Sequence, residues 1–132
     1  MNVENVRKLR DLLREVAEKN PKRFNMNRWF GRGGYAKDGL SEVRERNRSP
    51  RPEDCGTAAC MAGWCQLAFA VTEQEKLLNA MVFAKDFCGI DRGMAHRWFV
   101  DPAWSLKLPV RITATEAADF LTDQLRAAGA EP

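Results

Sequence analysis

The sequence contains a single histidine, His96. It has no GxxxxGK[ST] phosphate loop, no HExxH helix and no GxSxG elbow. The usual NTPase, zinc-hydrolase and serine-hydrolase designs therefore lack their residues. Long apolar runs are missing too. The longest uncharged apolar stretch, residues 58–71, is too short to cross a bilayer and contains Gly63 and Gln66, so it reads as a buried helix. The first residues, MNVENVRKLRDLL, are charged throughout and hold no apolar export region. A cytoplasmic protein with reduced thiols is expected, with no membrane partner. No internal repeat, sustained heptad or run of alternating polarity appears, so no strand is demanded.

What is present fits one helical domain over residues 1–132. Apolar residues make up 45% and charged residues 30%, which is globular rather than disordered. The net charge of +3 says less than its distribution. Residues 20–54 carry nine basic and five acidic side chains, a net +4, against −1 for the rest. A partner drawn by charge meets this segment first.

Helical periodicity sets the frame. Val6, Leu9, Leu13 and Val16 make one apolar stripe over residues 3–19, which Asn20-Pro21 stops. Phe24, Met26, Trp29 and Phe30 follow as a short helix or an extended lid on the core. A second core helix is expected from Cys55-Gly56-Thr57, capped by Asp54 or Thr57, with small Ala62 and Gly63 beside bulky Met61 and Trp64. Thr72 and Glu75 form a capping box for a third helix, predicted to run unbroken through Leu77, Leu78, Met81, Val82 and Ala84 to Phe87 or Cys88, with Gly89 closing it. Asp91 caps a short helix carrying Met94, Trp98 and Phe99. Residues 101–110 read as a loop with Trp104 against the core. Thr113 and Glu116 open the last helix, with Ala117, Ala118, Leu121 and Leu125 inward and Gly129 as terminator. The fold class is all-α, with about four to five helices around one core and a basic Gly/Arg/Pro-rich insert over residues 31–54.

The string CGTAACMAGWC places Cys55, Cys60 and Cys65 five residues apart. Five residues turn a helix by about 500°, so Cys60 and Cys65 diverge if both are helical. Zinc would need Cys88 and His96 to complete a set, and no C-x2-C knuckle is present. A Cys55–Cys60 disulfide fits if Cys55 lies before the helix. A nucleophilic Cys55 at a helix start would need His96 as its base, with Asp54 opposing the thiolate. The plain alternative makes Cys60, Cys65 and Cys88 small core residues. No catalytic residue, metal or cofactor is assigned.

CGTAACMAGW resembles the CGT-x-x-C-x-AGW signature of small bacterial and phage-encoded proteins, most of them without an assigned function. The likeness extends to the segment from Arg23 to Trp29, to Gly89-Ile90, to Trp98-Phe99, to Trp104 and to the last helix. The longer basic insert and the additional Cys65 depart from the pattern. The resemblance implies a bacterial or mobile-element origin and brings no activity or site with it.

The candidate partner-binding residues are Arg28, Trp29, Arg32, Tyr35, Lys37, Arg44, Arg46, Arg48 and Arg51. Arginines and aromatics interleaved with glycine track phosphates and stack on bases, and equally meet an acidic protein face. The leading expectation is a non-enzymatic protein–protein interaction module. Given the resemblance, one instance is a phage or mobile-element accessory protein that binds and inhibits a host or defence component. A nucleic-acid-binding module on the same segment is the alternative, followed by a thiol or zinc site at Cys55, Cys60 and His96. Glu116, Asp119 and Asp123 share a helical surface that reads as a solvated face.

Overall fold

The computed structural model describes residues 1–26, 60–102, 104–108 and 111–132. Among the described residues it holds six α-helices and no strand. Helix α1, Val3–Lys19, starts where Asn2 Oδ1 accepts the Asn5 amide at 3.1 Å and ends at Asn20, before the tight turn Pro21–Arg23. Its stripe Val6, Leu9, Leu13 and Val16 is buried, as the spacing predicts, and Arg10 is buried with it.

Helix α2, Met61–Phe69, begins later than the sequence indicates. Cys60 is not helical but is the cap itself, extended at φ −79°, ψ 179°, with its Sγ accepting the Gly63 amide at 3.4 Å. Asp54, Cys55 and Thr57 lie outside the described residues. Every residue from Met61 to Gln66 is buried, which is why this stretch shows no apolar stripe: all sides face protein.

The predicted third helix is two helices. Helix α3, Glu73–Leu77, carries the full Thr72–Glu75 capping box, and α4, Ala80–Cys88, starts afresh from Asn79. Asn79 Oδ1 accepts the Met81 amide at 2.9 Å, while Leu78 is extended at ψ 156°. Leu77 and Leu78 carried the apparent period, yet both are exposed. The break is held from outside. Buried Gln66 donates through Nε2 to the carbonyls of Glu75 at 3.0 Å and Leu78 at 2.7 Å, so α2 caps the end of α3.

Gly89 closes α4 in the left-handed region at φ 64°. Helix α5, Arg92–Ala95, capped by Asp91, widens into the π-type turn His96–Val100, with the Asp101 amide reaching back to the His96 carbonyl. Helix α6, Ala114–Ala127, has the predicted capping box and the predicted inward residues Ala117, Ala118, Leu121 and Leu125. Helix α1 packs along α6, α2 packs on α4, and α1 also touches α2 and α4, joining the pairs. One core results, with Trp64, Phe99, Leu9, Leu13, Met61 and Leu121 among its largest members.

Candidate functional site

All nine candidate binding residues fall within residues 27–59, outside the described residues. The described residues that flank that segment are Met26 on one side and Cys60 on the other. On the departing side, Phe24 and Met26 are buried. On the returning side, Cys60 is buried and caps α2. Trp64, one turn into α2, joins the two sides. Its Nε1–H donates to the Arg23 carbonyl at 3.1 Å, and the Arg23 guanidinium lies 5.6 Å from its ring centroid. Arg23 and α2, which lie on the two sides of residues 27–59, are thus joined at one buried indole.

The cysteines are arranged for packing. Cys60, Cys65 and Cys88 carry reduced thiols and are buried. Burial pushes the Cys65 thiol well up, and its hydrogen bond with Cys88 adds to this. Both effects disfavour the thiolate, which is the nucleophilic and metal-binding form. His96 is exposed on the π-type turn, whereas Cys60 is enclosed. Among the described residues no three His, Cys, Asp or Glu side chains converge on a point that would hold a metal ion.

Two of the three acidic side chains of α6 have local partners. Glu116 accepts from the Thr113 backbone at 3.1 Å and pairs with Lys107 at 2.9 Å. Asp123 lies 3.8 Å from Arg126, and Asp119 is exposed.

Three features escaped sequence reasoning. Arg10 is buried on α1, with its Nε on Asp11 at 2.9 Å. Gln66 is buried as a bridge between helices, and its Oε1 has no hydrogen-bond partner among the described residues. Leu106 and Leu108 stand exposed in the loop before α6. Gln66 gave a signal, being the one polar residue in an uncharged stretch. The others required the packing.

The chain matches no family model, and neither a curated protein nor a solved structure is significantly similar to it. Among the described residues no helix is long and apolar enough to cross a membrane.

Proposed function

We propose that this chain is a non-enzymatic interaction protein that offers its basic segment to a partner protein. The CGT-x-x-C-x-AGW resemblance adds the setting: a bacterial cytoplasm, and an accessory protein of a phage or mobile element that binds and inhibits a host or defence component. One observation carries the reading. Trp64 fastens the chain at Arg23, ahead of the nine candidate binding residues, to the helix that follows them. A chain held at two flanking points has less conformational freedom to lose on binding than a free tail does. The burial of Cys60, Cys65 and Cys88 supports the non-enzymatic part, and at Cys65 burial also disfavours the thiolate.

The experiment compares wild type with the Arg44→Ala, Arg46→Ala, Arg48→Ala, Arg51→Ala variant in pull-downs from a bacterial host lysate. Loss of a specific partner is expected. An unchanged set of partners rejects the role of the segment.

The run Arg32-Gly33-Gly34-Tyr35 favours a second reading, nucleic-acid binding. It predicts an affinity for single-stranded DNA or RNA that falls steeply with salt. Absence of any gel shift at low salt removes it.

A further inference from the structure

Two of the buried thiols meet. Cys65 lies in the middle of α2, and Cys88 ends α4, the helix on which α2 packs. Both are fully buried and reduced. The Cys65 thiol is hydrogen-bonded with the Cys88 thiol, so the two sulfurs are neighbours across the helix pair. Cys60 is engaged differently, its Sγ accepting the Gly63 amide at 3.4 Å as the cap of α2.

Water reaches the two members of the pair by different routes. Every residue from Met61 to Gln66 is buried, so Cys65 has protein on all sides. Cys88 is the last residue of its helix and is followed by exposed Gly89. Its carbonyl accepts the amide of exposed Asn2 at 2.7 Å, and the Phe87 carbonyl accepts from Asn5 Nδ2 at 2.9 Å. These bonds join the end of α4 to the first turn of α1. Helix ends fray at a lower cost than opening the whole fold. Loosening there exposes Cys88 and leaves Cys65 enclosed behind it.

We propose that Cys65 and Cys88 are a site of reversible oxidative modification, closed into a protein disulfide by a low-molecular-weight disulfide. In the opened state Cys88 gives its proton to water, and its thiolate attacks the small disulfide. A mixed disulfide forms on Cys88 and one small thiolate leaves, taking up that proton. The Cys65 sulfur then attacks the Cys88 sulfur. The bond between Cys65 and Cys88 forms, the bond to the small thiol breaks, and the second thiolate departs with the proton that Cys65 gives up. Two protein thiols are oxidised, and one small disulfide is reduced to two thiols. Neighbouring sulfurs give the second step a high effective concentration, while burial keeps the first step slow. The outcome is a slow but specific bridge that ties α2 to α4.

The test is prolonged incubation of the native full chain with glutathione disulfide, read by intact mass and by peptide mapping without reductant. Loss of two hydrogens, a linked Cys65–Cys88 peptide and reversal by dithiothreitol are expected, with Cys60 still a thiol. The bridged protein is expected to melt about 5 °C or more above the reduced protein. Cys65→Ala should stop at a glutathione adduct on Cys88, and Cys88→Ala should leave Cys65 unmodified. Cys65→Ser and Cys88→Ser serve in their place if an alanine variant loses the wild-type circular dichroism. Asn2→Ala removes the cap on Asn5 and should speed bridging about fivefold by loosening the first turn of α1. An unmodified native protein, a lasting adduct on wild-type Cys88, or a bridge through Cys55 or Cys60 overturns the proposal. So does the scrambled set of bridges expected of a urea-unfolded control, which assigns the oxidation to global unfolding. An Asn2→Ala rate equal to wild type overturns Cys88 as the point of entry.

Discussion

Trp64 and Arg23 are 41 residues apart in sequence, and the indole N–H of one donates to the backbone carbonyl of the other at 3.1 Å. The same indole is among the largest fully buried side chains. Core packing and the tie between Arg23 and α2 therefore depend on one residue. Trp64→Phe keeps most of the apolar volume but leaves the Arg23 carbonyl without this donor, at a cost of about 1–2 kcal/mol. Trp64→Ala also opens a cavity and costs about 3–5 kcal/mol. Urea unfolding curves of the two variants check the order. In the Phe variant, faster hydrogen exchange near Arg23 than near α6 is the expected local signature.

Gln66 holds the break between α3 and α4. Gln66→Leu strips two carbonyls of their donor and is expected to lose about 1–3 kcal/mol in urea unfolding. Gln66→Glu is worse at neutral pH, because it buries a carboxylate against two carbonyl oxygens. That carboxyl has a folded pKa raised above its unfolded value. The deficit relative to wild type therefore shrinks as the pH falls, since the protonated acid can donate again. A deficit independent of pH contradicts this account.

Gly89 and Gly129 both have positive φ, 64° and 78°, but their surroundings differ. A Cβ at Gly129 meets nothing within 4 Å, so Gly129→Ala pays only the left-handed backbone cost of about 1–2 kcal/mol. A Cβ at Gly89 lies 2.9 Å from the backbone nitrogen of Asn2, which itself donates to the Cys88 carbonyl at 2.7 Å. Gly89→Ala must displace the start of α1 and is expected to be the more destabilising by thermal melting.

Acid pH is expected to weaken the fold through two capping boxes. The Lys107 hydrogen bond, then the Thr113 backbone N–H, holds Glu116 below its ordinary value. The backbone N–H groups of Thr72 and Val71 do the same for Glu75. The folded pKa is lowered in both, so their contribution is complete above the ordinary glutamate range and is lost as the pH falls through the folded values. Melting temperature against pH for Glu75→Gln, Glu116→Gln should show a shallower acid decline than wild type.

The thiols should be slow. In the native protein, Cys60, Cys65 and Cys88 are expected to resist iodoacetamide at neutral pH for as long as it takes to label a urea-unfolded control completely. Peptide mapping reads each site. Rapid native labelling of Cys65 or Cys88 would contradict their burial.

The sequence by itself determined the features that rest on local chemistry. The stripe of α1 is set by a period of 3.6 residues, and Pro21 ends that helix because its ring cannot continue the ladder. The boxes at Thr72 and Thr113, the cap at Asp91 and the terminators Gly89 and Gly129 involve partners only a few residues apart, so the string alone reveals them. The charge excess of residues 20–54 is likewise a property of composition. Tertiary structure decided whatever depends on residues far apart in the chain. The turn at Leu78-Asn79 was hidden because its stabilising donor, Gln66, comes from another helix, and the leucines beside it imitated an inward face while lying in water. Cys60 became a cap because it is itself extended, with its Sγ turned to the Gly63 amide. The contacts of Trp104 with Phe120 and of Lys107 with Glu116 arise only because α6 returns beside the loop before it. Periodicity records which side chains are apolar. Which of them find a neighbour is settled by packing, because burial belongs to the assembled surface and not to the residue.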